Sequence, residues 1–338
     1  MWNLKNDTPY RAERGWYRDV NGAEVWTVAV KATYDIRTDG STLLSSSLPV
    51  NSGVTMFSNS DEMLYETDLG PEKNATDILL LGHAWAPNNT PVSTVFIGMK
   101  VAGICRLAKV SGVRVWDGGT YHTPTKFLRT PLRYPFMACG CLPDADVCNP
   151  LGVAVDETPV KGKSQLPQIE FLSDSGYPGF GVVPRHWPER LRHAGVYDQR
   201  WQETRSPLLP EDFDSRFWQI APPPQYAAGQ LRGNEVVTLA NLTPPSFSKS
   251  NIISFAIPKI SLNFRTEFTD DSVSVHRAKL HTVIIEPDYP RLSVVWHTTL
   301  PCHRKVNMLD VTTITEKKRL HPRPPVLQAQ FKEWEQLI

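Results

Sequence analysis

Long hydrophobic runs are missing from this chain of 338 residues, and with them any stretch able to cross a bilayer as a helix. The opening M-W-N-L-K-N-D-T-P-Y has no apolar signal-peptide core, so a cytoplasmic location is expected. Charge imbalance is missing as well. A net charge of +1 gives no general attraction to nucleic acid or anionic lipid, and the one basic run, Lys317-Lys318-Arg319, reads as a solvated tail. Neither nucleic acid nor membrane is expected as a partner. Cysteine is scarce, with five residues at uneven spacing (Cys105, Cys139, Cys141, Cys148 and Cys302), which argues against a disulfide framework and for reduced thiols. Cys139-Gly140-Cys141 and Cys302-His303 do not make the two compact ligand pairs of a structural zinc site, so no metal is expected. No phosphate-cradling glycine loop, G-x-S-x-G, H-E-x-x-H or dinucleotide fingerprint occurs either, and no cofactor is expected.

What is present reads as mainly β. Trp16 to Ile36 makes two strands around Asn21-Gly22, a dipeptide favoured in type I′ hairpins. In the second strand Trp26, Val28, Val30, Ala32, Tyr34 and Ile36 alternate with Thr27, Lys31, Thr33 and Asp35, the pattern of a strand with one wet face. Residues 37–76 suggest loops and short edge strands. Asp77 to Trp116 then reads as three successive antiparallel strands, and 117–171 as a long irregular connection. A second β series follows from Glu235 to Thr298, with Asp288-Tyr289-Pro290 turning its last hairpin. The expected architecture is two β-rich halves, 16–116 and 235–300, forming a sandwich or open barrel. A long ordered insertion over 117–233 completes a single domain ending near residue 320. Over 321–338, Pro322-Arg323-Pro324-Pro325 reads as a stiff spacer. Leu327, Phe331, Trp334 and Ile338 then fall on one face of a short terminal helix.

The stretch 184–233 has neither helical nor strand periodicity, yet Trp187, Trp201, Trp218, Tyr197, Phe213 and Phe217 are too much aromatic surface for a disordered linker. Its charges balance: Arg185, Arg190, Arg192, Arg200, Arg205 and Arg216 stand against Glu189, Asp198, Glu203, Glu211, Asp212 and Asp214. No lysine lies between Lys163 and Lys249. Exclusive use of arginine points to bidentate carboxylate pairs and guanidinium stacking on rings, which hold an irregular segment rigid. Two other readings compete. His186 or His193 with Asp198, Asp212 or Asp214 could serve a hydrolase, which requires two of them to converge in a pocket. Tryptophans beside polar groups could form a sugar platform, which requires coplanar exposed rings. His83, inside an apolar run, reads as a core imidazole bonded to backbone.

A set of short motifs gives a further indication. In order these are Asp77, Gly82-His83-Ala84, Gly112-Val113-Arg114-Val115-Trp116, Asn149-Pro150-Leu151-Gly152, Trp187-Pro188-Glu189-Arg190, Gly195-Val196-Tyr197-Asp198 with Trp201, Asp212-Phe213-Asp214 with Phe217, then Gln225 and Gly233. Over about Val25 to Thr298 this succession resembles a bacterial family catalogued as domain of unknown function twenty-one sixty-nine. Its members resemble adaptors, or chaperones, that load toxic effectors onto the spike of type VI secretion systems. The resemblance implies a non-enzymatic protein. Such a protein binds the N-terminal part of a cognate effector in the cytoplasm and promotes its docking with the spike or spike-tip protein. It marks Trp187, Arg190, Tyr197, Asp198, Trp201, Asp212, Phe213, Asp214, Phe217 and Gln225 as partner-binding or signature residues. Asp77, Gly82, His83, Gly112, Arg114, Trp116, Asn149, Pro150, Gly152, Gly195 and Gly233 are marked as structural. Either strand addition to an open sheet edge or a helix in a groove would serve binding.

Overall fold

The structure, a computed structural model, describes residues 2–140, 148–172, 177–248, 250–302 and 304–317. The expected Pro-rich spacer and terminal helix lie outside these residues. Strands dominate. In chain order they are β1 (Asn3–Asn6), β2 (Arg11–Arg18), β3 (Glu24–Ile36), β4 (Thr42–Leu44), β5 (Thr55–Met56), β6 (Met63–Tyr65), β7 (Asp77–Leu80), β8 (His83–Trp85), β9 (Thr94–Val101), β10 (Ile104–Ser111), β11 (Arg129–Pro131) and β12 (Ile169–Phe171). Two short helices follow, α1 (Pro188–Leu191) and α2 (Gln199–Thr204). Beyond them come β13 (Val236–Ala240), β14 (Ile252–Ala256), β15 (Leu262–Phe268), β16 (Val273–Arg277), β17 (Lys279–Glu286), β18 (Arg291–Pro301) and β19 (Leu309–Glu316).

Three sheets share one core in a β-rich sandwich, and among the described residues none closes into a barrel. A six-stranded sheet runs β2-β3-β18-β17-β7 with β4 beside the end of β3, a five-stranded sheet runs β12-β10-β9-β13-β14, and a four-stranded sheet runs β1-β19-β15-β16. Each draws strands from distant parts of the chain. Trp26, Val28 and Val30 of β3 pack in one cluster with Ile97 and Met99 of β9, Phe255 of β14, and Phe264 and Ile314 of the third sheet. Burial of each such side chain stabilises by about 1.5–3 kcal/mol. The Trp26 indole N–H donates to Thr312 Oγ1 at 3.0 Å, tying the six-stranded sheet to the four-stranded one.

Several local expectations give way to tertiary packing. The far face of β3 is dry except at its end: Thr27, Lys31 and Thr33 are buried and only Asp35 is exposed. The irregular segment 45–76 covers them, with Lys31 Nζ 3.0 Å from Asp68 Oδ2 and Leu48 N–H donating to Thr33 Oγ1 at 3.1 Å. Polar strand residues accept burial when such partners reach them. The first hairpin forms, but with a longer turn. Gly22 alone adopts positive φ (79°), Asn21 does not, and Gly22 N–H donates to Asp19 C=O at 2.9 Å. That geometry matches a type I turn closed by a left-handed glycine rather than type I′. The run 77–116 is not three consecutive antiparallel strands. It breaks at Leu81-Gly82, and β7 inserts parallel to β17, while only β9 and β10 form the hairpin. The last hairpin, β17 to β18, turns at 287–290 as its sequence predicts. One thiol expectation is also corrected, because Cys148 is disulfide-bonded, whereas Cys139 and Cys302 keep free thiols. Uneven cysteine spacing disfavours a framework but does not prevent a single bridge between thiols that the fold brings together.

Candidate partner-binding site

The aromatic and arginine segment lies over the end of the six-stranded sheet, held by two buried ionic knots. In the first, Pro188 at the first helical position starts α1 and sets Arg190 inward. Arg190 is 1% exposed and donates to Glu66 Oε2 at 2.5 Å, to Phe217 C=O at 2.8 Å and to Val183 C=O at 3.0 Å. Arg185 pairs with the other Glu66 oxygen. Burial by itself raises the Glu66 carboxyl, and the Arg190 and Arg185 guanidiniums outweigh it, so the group lies below its ordinary value. In the second knot Asp77, fully buried, accepts from Gln219 Nε2 at 2.8 Å and Ile220 N–H at 2.9 Å, with Lys73 Nζ 2.6 Å away. Gln225 donates to the carbonyls of Ile78 (2.6 Å) and Phe180 (3.0 Å), sealing the outer edge of β7.

Rings fill the space between the knots. Trp187 is buried, its ring edge-on to Tyr134 at 4.7 Å, and Phe213, Phe217 and Trp218 form a cluster with centroids 5.1–5.6 Å apart. The Arg190 guanidinium lies 5.2 Å from the Phe217 centroid. A 3₁₀ turn, Ser215–Trp218, is capped by Asp214, which accepts from Arg216 N–H at 2.9 Å. Asp212 Oδ1 accepts from Val196 N–H at 3.0 Å. Gly195 beside it has φ +76°, with only 2.8 Å between an added Cβ and that same oxygen, so no other residue fits without strain.

The signature therefore divides. Trp187, Arg190, Phe213, Asp214, Phe217 and Gln225 brace the fold. Tyr197, Asp198 and Trp201 build an outward knob at the start of α2, where Asp198 accepts from Trp201 N–H at 2.8 Å as the helix cap. The Tyr197 and Trp201 rings meet edge to face at 4.7 Å, and the Trp201 indole N–H donates to Leu208 C=O at 2.8 Å. Leu191, Val196 and Tyr197 are each more than half exposed here, beside a shallow cleft of about 230 Å³ that Trp201, Arg205 and Pro210 help to line. Arg205 fixes the knob to the first hairpin through Val20 C=O.

Other signature residues hold turns. Gly112 admits no side chain, because a Cβ there would lie 1.9 Å from Thr125 C=O. Arg114 bonds Pro167 C=O at 2.5 Å and pairs with Glu170, while Trp116 packs edge-on to Tyr121 at 5.1 Å. Asn149 Nδ2 donates to the carbonyls of Tyr134 (2.9 Å) and Ala138 (3.0 Å). Exposed Pro150 continues that turn, and Gly152 closes it against Ala138. A Cβ on Gly233 would fall 2.7 Å from Lys259 Cα. His83 departs from expectation. It is no core imidazole bonded to backbone but sits partly exposed with Nδ1 2.6 Å from Asp288 Oδ2, and Trp85 Nε1 donates to the same carboxylate at 2.8 Å.

Gly82 and His83 border a second concavity of about 380 Å³ between β6, β11 and the β17–β18 turn, floored by Met63, Leu81 and Leu132. Its charges are neutralised in place. Glu62 accepts from Arg133 Nε at 2.6 Å, and Glu286 accepts two bonds of 2.7 Å from Arg291 and one of 2.6 Å from the Tyr65 hydroxyl. Arg133 also stacks 4.3 Å from the Phe57 centroid. Sequence reasoning missed Glu62, Glu66, Arg133 and Glu286. The available signal was acidic residues spaced among apolar ones in Glu62-Met63-Leu64-Tyr65-Glu66.

The groups named for hydrolysis are arranged for holding structure. Asp198 and Asp212 bond backbone N–H groups, and Asp214 pairs with Arg216. His193 Nδ1 lies 3.4 Å from Asp214, its basicity lowered by burial and by Arg216, while the Arg216 hydrogen bond holds Asp214 below the usual carboxylate range. His186 is exposed and does not line the cleft that Asp198 and Asp212 border. Of the rings that a sugar platform would use, Trp187 is buried and Trp201 is half-buried. Among the described residues no helix is long and apolar enough to cross a membrane.

Fold and site together define a β-rich scaffold that presents a braced aromatic surface. Residues 21–297 match the family described as "Uncharacterized protein conserved in bacteria (DUF2169)", and the chain belongs to that family. Neither the comparison with curated proteins nor that with solved structures finds a match.

Proposed function

We propose that the chain is a non-enzymatic adaptor. It binds the N-terminal region of a cognate toxic effector in the bacterial cytoplasm and brings it to the spike or spike-tip protein of a type VI secretion system. The observation that carries this reading is the division of the signature. One set of aromatic and arginine residues locks a long irregular segment rigid, and a second set, Tyr197, Asp198 and Trp201, builds a knob on which Tyr197 stands exposed beside Val196 and Leu191. Aromatic anchors on a preorganised support are what protein-binding hot spots require, because little ordering entropy is then lost on association. Family membership and the ordered motifs support the same reading. Carboxylates engaged by arginines and backbone amides support a binding role over acid–base chemistry.

The test is capture of the N-terminal region of a secreted protein encoded beside this chain. Wild type should retain it, and Tyr197→Ala with Val196→Lys should lower capture about tenfold or more while the urea midpoint stays in place. Absence of capture, with secretion of that neighbour unchanged when the adaptor is deleted, would overturn the proposal.

A further inference from the structure

The four-stranded sheet ends on a strand that is not protected in the usual way. Exposed edges are normally blunted by charge, by proline or by brevity. Here β2 carries Arg11, Glu13, Arg14 and Arg18, β12 has three residues, β7 is sealed by Gln225, and no side chain of β14 is exposed. Strand β16 reads V-S-V-H-R, with Val273 46% and Val275 72% exposed on the outer face. Its backbone direction follows from the hairpin. Phe268 N–H donates to Ser272 C=O at 3.0 Å, so by the alternation of an antiparallel ladder Ser272, Ser274 and His276 face β15. Val273, Val275 and Arg277 turn their N–H and C=O outward. The Arg277 carbonyl accepts from Thr298 Oγ1 at 3.0 Å, and among the described residues nothing bonds the outward groups of the two valines.

We infer that this edge pairs with the same edge of a second copy of the chain, antiparallel about a two-fold axis at Ser274. Charge complementarity selects that occupant. The strand has an acidic turn at one end, with Asp271 exposed and in no ion pair among the described residues, and exposed Arg277 at the other, likewise in none. Antiparallel self-pairing lays each Arg277 beside the acidic turn of the second copy. The same register sets Val273 opposite the second copy's Val275, and Val275 opposite its Val273. Those are outward-facing pairs, so their free N–H and C=O groups meet, and four valines close over the junction. The result is an isologous contact that merges two four-stranded sheets into one of eight strands. This goes beyond the adaptor reading and does not rest on it.

Sedimentation velocity on the full chain tests the pairing. Wild type should reach the mass of two chains, and Val275→Lys, which sets two ammonium groups at the junction, should raise the dimer dissociation constant about a hundredfold or more. Because Val275 is largely exposed, the variant should keep the wild-type urea midpoint. Ser274→Cys places one thiol in each copy across a pair with Cα atoms about 4.5 Å apart, within disulfide reach. It should give a covalent dimer under mild oxidation that wild type and Ser274→Cys/Val275→Lys do not give. A wild-type monomer up to about 100 μM, a dimer indifferent to Val275→Lys, no Ser274→Cys cross-link, or an extended segment of another protein seated on this edge would each overturn the inference.

Discussion

Removing the buried Arg190 guanidinium should unfold the signature segment, and the structure sets the size of the effect. Arg190→Met leaves Glu66 buried with only the half-exposed Arg185 for a counter-charge, and leaves the carbonyls of Val183 and Phe217 without this donor. Breaking a buried pair from one side costs about 3–5 kcal/mol, and each orphaned carbonyl adds about 1 kcal/mol at most. Against a total stability of about 5–15 kcal/mol, that is a large fraction. Glu66→Leu should cost about as much, because it strands a guanidinium that cannot give up its proton. The double variant Glu66→Leu/Arg190→Met removes both charges, returns Arg185 to water, and should lose only about 1–3 kcal/mol. The measurement is urea unfolding followed by tryptophan fluorescence, arranged as a double-mutant cycle, with an expected coupling of about 2 kcal/mol or more. If Arg190→Met costs under about 1 kcal/mol, or the two single losses simply add, the knot does not hold the segment and the bracing argument fails.

Acid should weaken the fold before carboxylates titrate. Burial holds His276 and His297 down to about 4, and burial with nearby Lys73 holds His281 well below its ordinary value. Between about pH 6.5 and 4 the unfolded chain binds these protons and the folded chain does not, so stability falls on acidification, by on the order of 3 kcal/mol from His297 alone. A urea midpoint unchanged between pH 7.5 and 5 would refute this, and His297→Gln should flatten the dependence. At the glycines, Gly112→Ala must displace the Thr125 carbonyl and should cost about 3 kcal/mol or more, whereas Gly103→Ala meets nothing within 4 Å and should stay within about 0.5 kcal/mol by the same unfolding assay.

Much of the local structure was legible because its cause was local. Alternation in β3 named one buried face, and Asp288-Tyr289-Pro290 named a hairpin turn whose conformational preference travels with the residues themselves. The absence of lysine from 164–248 named a segment built on guanidinium chemistry, and arginines at 185, 190 and 205 indeed stack on rings or hold carboxylates and carbonyls. Candidate site residues were legible as a set, but their roles were not. Nothing in Trp187 or Tyr197 as residue types says that the first is buried against Tyr134 and the second stands out in solvent.

Composition and pattern alone thus determined a β-rich chain carrying a rigid arginine and aromatic insertion. The tertiary structure decided the rest, for a physical reason. The partners that settle each role are far away in sequence: Glu66 is 124 residues from Arg190, and Asp77 is 143 residues from Ile220. A buried ion pair leaves no periodic trace around either member, and the wet or dry state of a strand face depends on which distant loop covers it. The second face of β3, the parallel insertion of β7 and the open edge of β16 exist only once the sheets have assembled.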